Sequence, residues 1–204
     1  DDIQTVSASL RYFSLGNIEF TDNQGVSLGE YQPNEWAVDA AYSRKLSDNL
    51  SLAVAGRFIY SNLTLGQDAG SSQTRPGTSV AADIGMYYED EVDVGASDGV
   101  FAFGVNISNI GAKISYTTAA QEDFIPTNLR LGPSLRMALD SYNKIEFSLD
   151  VNKLLVPTPP VMDPDNQDEV LEGMDDDVSV ITGIFQSFYD APGGFNEELR
   201  ELSF

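Results

Sequence analysis

Leu50-Ser51-Leu52-Ala53-Val54-Ala55-Gly56-Arg57-Phe58-Ile59-Tyr60 is the stretch that decides the fold class. In an extended chain, Leu50, Leu52, Val54, Phe58 and Tyr60 share one side with Gly56, while Ser51, Ala53, Ala55, Arg57 and Ile59 take the other. Period two held over eleven residues fits the roughly 9 to 11 residues of a tilted membrane strand better than the roughly 5 to 6 of a soluble one.

The alternation returns in Trp36, Val38, Ala40 and Tyr42; in Val80, Ala82, Ile84, Met86 and Tyr88; in Leu129, Leu131, Leu135, Met137 and Leu139; and in Ile145, Phe147, Leu149 and Val151. The stretch 8–20 follows it less cleanly, because Phe13 and Leu15 fall on the opposite face. Another strand opens with Phe101, Phe103, Val105 and Ile107 and resumes one residue out of phase at Ile110, Ile114 and Tyr116, the mark of a bulge near residues 109–111. The pattern predicts about seven strands. Connections at 47–49 and 140–144 are short, those at 21–33, 64–78, 117–127 and 155–195 are long, and 89–99 takes a short-side slot at moderate length. Bacterial outer-membrane barrels alternate short periplasmic turns with long outer loops in this way.

Register supplies a further expectation. Pairing Leu46 with Leu50 around 47–49 sets Trp36 opposite Tyr60 on the apolar face and Asp39 opposite Arg57 on the polar one. Pairing Leu139 with Ile145 puts Arg136 diagonal to Glu146 and Asp150. The competing architecture is a soluble antiparallel sandwich, which also alternates apolar and polar positions. Strand length, loop parity and aromatic strand ends favour the barrel.

Composition narrows function. With 11 basic and 32 acidic residues the net charge is -21, which repels nucleic-acid phosphates. There is no cysteine and no histidine, so disulfides, thiolate and imidazole metal sites and the Ser-His-Asp and Cys-His pairings are missing. A paired-carboxylate hydrolase finds no identifiable cleft motif, an outer-membrane lipase or deacylase finds no histidine in these residues, and no phosphate-binding glycine loop is present. Asp1-Asp2-Ile3-Gln4 shows no basic region followed by an apolar run, so a signal peptide is absent or removed. No run of about 18 apolar residues suggests a membrane helix. The reading is therefore a single domain over 1–204, an all-β transmembrane barrel incomplete at both ends, since an open edge in lipid leaves backbone groups unsatisfied. Phe204, after the polar helix-like run 196–201, reads as a break in the chain rather than a closing strand.

Specific stretches carry a family resemblance. Ile114-Ser115-Tyr116-Thr117, then Asp123-Phe124-Ile125-Pro126-Thr127-Asn128-Leu129-Arg130-Leu131-Gly132, then Asp150-Val151-Asn152-Lys153-Leu154-Leu155-Val156-Pro157-Thr158-Pro159-Pro160, resemble the PorV family. So does Gly183-Ile184-Phe185-Gln186-Ser187-Phe188-Tyr189-Asp190-Ala191-Pro192-Gly193-Gly194-Phe195. The resemblance runs along about the whole chain, most strongly from residue 104 onward. It implies a FadL-like outer-membrane barrel of about fourteen strands when complete, with an N-terminal hatch in its lumen that these residues do not include. It also implies a non-enzymatic shuttle of the type IX secretion system of Bacteroidetes. Such a protein collects cargo proteins by their C-terminal signal domains as they leave the giant translocon barrel and delivers them to a surface attachment complex. The alternative is a FadL-type transporter of hydrophobic small molecules, and fold alone does not decide between them. Neither reading calls for a cofactor or a metal.

Candidate site residues fall in two groups. The longest outer connection, 155–195, holds an acidic part (163–169 and 175–177) whose spacing matches no EF-hand and reads as a solvated loop. After Asp177 comes a helix-like stripe of Val178, Ile181, Ile184, Phe185, Phe188 and Tyr189, stopped by Pro192-Gly193-Gly194. The simpler expectation is that this helix caps the barrel mouth and buries its stripe; the sharper one makes Ile184, Phe185, Phe188, Tyr189 and Phe195 a contact for the translocon or cargo. The second group, Asp39, Arg57, Asp83, Arg130, Arg136, Glu146 and Asp150, points inward and reads as a lumen charge network supporting the wall, with a conduction path as the other possibility.

Overall fold

The computed structural model describes residues 3–22, 24–63, 74–95, 97–117, 122–165 and 169–203. Most of the expected 64–78 connection, residues 118–121 of the next one, 166–168 of the acidic run and Phe204 lie outside the described residues. Twelve strands and two helices are seen among them: β1 (Gln4–Ser14), β2 (Ile18–Thr21), β3 (Ser27–Tyr31), β4 (Asn34–Lys45), β5 (Leu50–Asn62), β6 (Gly77–Val94), β7 (Ser97–Gly111), β8 (Asn128–Ala138), β9 (Lys144–Ser148), β10 (Val151–Leu154), β11 (Val161–Met162), β12 (Val170–Glu172), α1 (Val180–Gln186) and α2 (Phe195–Arg200).

The fold is all-β. One antiparallel sheet runs β1-β4-β5-β6-β7-β8-β10, with β9 continuing the β10 ladder on β8, and no described helix is long and apolar enough to cross a membrane. Apolar side chains meet in rows that cross most of the sheet. One row joins Leu52, Met86, Val105, Leu131 and Val151; another joins Tyr42, Val54, Ile84, Ile107 and Leu129. A one-residue slip anywhere would turn a strand's apolar set to the polar face, so each strand enforces its neighbour's register. Among the described residues this apolar face is uncovered over β5 and β6, where Val54, Val80 and Ile84 are 54%, 59% and 52% exposed. A soluble sandwich would place a second sheet there.

The β4–β5 register follows the sequence expectation. Trp36 lies opposite Tyr60 and Asp39 opposite Arg57, the two rings stack at 5.3 Å between centroids, and the Leu46 N–H donates to the Leu50 carbonyl at 2.8 Å. The β8–β9 register is two residues tighter than expected, with Met137 rather than Leu139 opposite Ile145. Asp140 is the cause: its carboxylate accepts from the Tyr142 and Asn143 N–H groups at 2.7 and 2.8 Å, and this Asx turn brings Leu139 against Asn143. Arg136 therefore faces Glu146 directly.

Other departures have local reasons. The stretch expected as one strand over 8–20 divides, because β1 stops at Ser14 and residues 18–31 form a separate hairpin of β2 and β3 closed by stacking of Phe20 on Tyr31. Residues 89–99 are hairpin arms rather than a connection, since the alternation of Asp90, Val92 and Val94 with Glu89, Glu91 and Asp93 continues the pleat to a tight turn at Gly95 (φ 66°). The expected bulge is present: pairing slips between Ala82 and Ile84 opposite Ile107 and Ile110, and Asn109 takes a left-handed φ of 59°. Beyond it the chain leaves the apolar face. Ile114 turns onto the polar side and forms a small core with Ala81 and Ile125, flanked by Ile59 and Tyr116. Gly77 makes room, because a Cβ there would lie 2.8 Å from Ile114 and 2.9 Å from Tyr116.

Candidate functional site

The polar face of the sheet carries one concentrated charge site. Arg57 on β5 is 8% exposed in its side chain and pairs with Asp39 on β4 and, at 2.9 Å, with Asp83 on β6. It also donates to the Asn109 side-chain oxygen on β7. Asp39 accepts from the Ser9 hydroxyl on β1 at 3.0 Å and meets Arg11 at 3.5 Å. The bulge is part of the site, because Asn109's left-handed backbone aims its N–H at Asp83, 2.8 Å away. Asn109 in turn holds the segment before β8, donating to the Pro126 carbonyl at 2.9 Å and accepting from the Thr127 hydroxyl at 2.7 Å. Four strands, β4 to β7, thus meet at one guanidinium, whose fork geometry satisfies two carboxylates and an amide, and β1 joins through Asp39.

Only three of the seven inward charged residues named from the sequence meet there. Arg136 and Glu146 form a separate pair at 3.1 Å, each side chain nearly half exposed. Arg130 donates to the Asn152 side-chain oxygen at 2.8 Å instead of to a carboxylate. Asp150 sits over Gly132, where a Cβ would come within 2.5 Å of its oxygen. The four form no single network with Arg57, because the straight ladder from β7 to β10 keeps strands a fixed spacing apart and side chains reach only adjacent rows.

At the opposite end from the tight turns, the segment after β10 builds an aromatic ledge. Ser179 caps α1 by accepting from the Thr182 N–H at 3.2 Å, and α1 ends at Gln186, earlier than the expected stop at Pro192. Phe188 and Tyr189 therefore lie in the turn that follows. The face that α1 and this turn bury is small and polar: Gly183, Gln186, Ser187 and Asp190. Gly183 packs where a Cβ would meet Phe124 and Pro157 at 2.9 Å. Gln186 donates to the Asp175 carbonyl at 2.8 Å. The stripe expected to be buried is consequently open: Ile181, Phe185, Phe188, Tyr189 and Phe195 are 59%, 65%, 48%, 64% and 76% exposed, and Ile184 is half-buried.

A clamp that the sequence reading missed secures the base of this ledge. Lys153 on β10 pairs with Glu198 and Glu201 at 2.9 and 2.8 Å. Glu201 also accepts from the Thr158 hydroxyl at 2.9 Å, and Glu198 from the Ala191 N–H at 2.9 Å. Asp190 accepts from the Thr158 N–H at 3.0 Å, while its other oxygen is buried without a partner. Burial pushes the Asp190 carboxyl above its ordinary range, and the nearby Glu198 charge adds to the shift. A signal was present in the sequence: Lys153 occupies the apolar phase after Leu149 and Val151, and Glu198 and Glu201 are spaced to share one helix face.

The acidic run brings no metal centre into view, since no three acidic side chains among the described residues are placed to hold an ion. A search of curated proteins finds no match for the chain. A family model described as type IX secretion system protein PorV matches residues 1–161, from β1 to the start of β11. The match takes in the charged wall and most of the chain, so the protein belongs to the PorV family of the type IX secretion system.

Proposed function

We propose that the protein sits in the outer membrane with the apolar face of its sheet against lipid. There it binds cargo proteins through their C-terminal signal domains as they leave the giant translocon barrel, and passes them to the surface attachment complex. The observation that carries this reading is the open ledge of Phe185, Phe188, Tyr189 and Phe195, held on a chain whose family serves type IX secretion. An open cluster of large apolar side chains marks a partner surface. Residues 155–195 are then an outer loop, and the sheet is the part of a barrel wall that holds it at the cell surface.

The exposed rows of Val38, Phe58, Val80 and Ile84 support the lipid assignment, because a bilayer is the solvent in which an uncovered apolar sheet face is stable. The Arg57 site supports a structural wall: its donors and acceptors are occupied by one another, leaving a polar lining unsuited to an apolar solute.

Pull-down from outer membranes tests the proposal. Recovery of a very large barrel together with proteins sharing a C-terminal β-domain is the expected result. A bound acyl compound without those proteins would replace it with the FadL-type transporter. Phe185→Ser with Phe188→Ser should abolish co-purification and leave assembly intact. Each buried phenylalanine contributes about 1.5–3 kcal/mol at an interface, so losing either weakens binding roughly tenfold or more.

A further inference from the structure

Lys153 is the one charged residue on the apolar face of the β8–β10 ladder. It pairs with Leu129, follows Val151 in phase, and is 6% exposed. An ammonium there loses its hydration, and the loss is offset only if carboxylates replace the water. Glu198 and Glu201 do so from α2, and the contacts close into a ring. Thr158 binds both Asp190 and Glu201, Glu201 and Glu198 bind Lys153, and Glu198 returns to Ala191, the neighbour of Asp190.

Apolar packing contributes little to the seating of α2. Phe195 and Leu199 are 76% and 49% exposed, and a cavity of about 290 Å³ lies among Leu129, Leu131, Val151, Phe188, Phe195, Leu199 and Leu202. Besides the ring, α2 is tied to the sheet through the bridge between Asn152 and Ser203, with hydrogen bonds of 2.8 and 3.0 Å. The charged ring and this backbone bridge, rather than apolar packing, therefore fix where the helix stands. The Lys153 ammonium also lies 5.8 Å from the Phe188 ring centroid, which couples the clamp to the ledge itself.

We propose that Lys153 is the positioning residue of the aromatic ledge: by drawing Glu198 and Glu201 onto the apolar face of β10 it holds residues 187–202 in one orientation over Leu129, Leu131 and Val151. Phe188 and Phe195 thereby line a single groove. The importance of that orientation rests on the ledge being the partner surface, and the two ideas fail separately.

The natural absence of cysteine allows spin labels at Arg200→Cys on α2 and Thr78→Cys on β6, both exposed, in the full chain held in lipid nanodiscs. The native background should give one narrow distance distribution. Lys153→Gln should broaden it at least twofold, and so should Glu198→Gln with Glu201→Gln, which changes no strand residue and keeps the test valid if the Lys153 variant fails to assemble. Lys153→Arg should keep it narrow, because a guanidinium still bridges two carboxylates. A second pair, Thr78→Cys with Asp48→Cys in the β4–β5 turn, should stay unchanged throughout. Native-like width in both neutralising variants would overturn the proposal, as would equal broadening by Lys153→Arg. Broadening with translocon co-purification undiminished would leave Lys153 as the positioning residue and refute the ledge as the partner surface.

Discussion

Replacing Arg57 by glutamine removes the cation that Asp39 and Asp83 share and leaves Asp39 only the 3.5 Å contact with the largely exposed Arg11. Asp39 is 6% exposed, and the Arg57 and Asp83 side chains are 8% and 17% exposed, so the stranded carboxylates have little access to water. Deleting one partner of a buried pair costs about 3–5 kcal/mol, because the remaining charge stays uncompensated. The loss of the contact to Asn109 also releases the bulge that orients the Pro126 and Thr127 segment. With a urea dependence of about 2 kcal/mol per molar, the unfolding midpoint should fall by about 2 M. Trp36, the single tryptophan, reports the transition from its stack on Tyr60. The triple variant Asp39→Asn, Arg57→Gln, Asp83→Asn should recover most of the loss, since it leaves amides that bond one another instead of unpaired charges. A single-variant shift below about 0.5 M, or about 1 kcal/mol, would refute the view that the guanidinium holds β4 to β7 together. A triple variant no better than the single one would show that geometry, not charge, is what Arg57 supplies.

Burial raises the Asp190 carboxyl, so its contribution to stability is present below its unfolded value and is lost as pH rises through the higher folded value. Asp190→Asn should flatten that dependence, read as proteolytic nicking within 187–202 across a pH series. Asp140 moves the other way: hydrogen bonds from the Asn143 side chain and from the Tyr142 and Asn143 N–H groups lower it. The tight β8–β9 turn should hold above the usual carboxylate range and loosen as pH falls through the depressed value, as amide hydrogen exchange at Tyr142 and Asn143 would record; Asp140→Ala should abolish the difference. Gly111→Ala would place a methyl group 2.7 Å from the Ala81 Cβ and closer still to the Val80 carbonyl, and should cost about 1–3 kcal/mol in urea unfolding through overpacking.

Alternation along single strands was enough to predict an all-β wall of about seven strands and the Trp36–Tyr60 and Asp39–Arg57 pairs. These depend on period and on short turns, both of which are local. The bulge was legible for the same reason, as a break in phase at residues 109–111. The errors arose where a side chain captures the backbone. Asp140 shortens a turn by two residues of register, and acidic residues 89–93 keep the pleat going where polarity suggested a connection.

The ledge shows the limit of periodicity most clearly. A helical stripe of Ile181, Phe185, Phe188 and Tyr189 can be found in the sequence, but its direction cannot, because the opposite face of Gly183, Gln186, Ser187 and Asp190 packs closely by virtue of being small and hydrogen-bonded. Only the tertiary structure brings Lys153 to Glu198 and Glu201, 45 and 48 residues away. The sequence by itself determined the wall, since each strand's period dictates which face meets apolar surroundings and which meets charge. The tertiary structure decided what stands on that wall, because the orientation of the ledge depends on long-range ion pairs whose partners carry no local mark of one another.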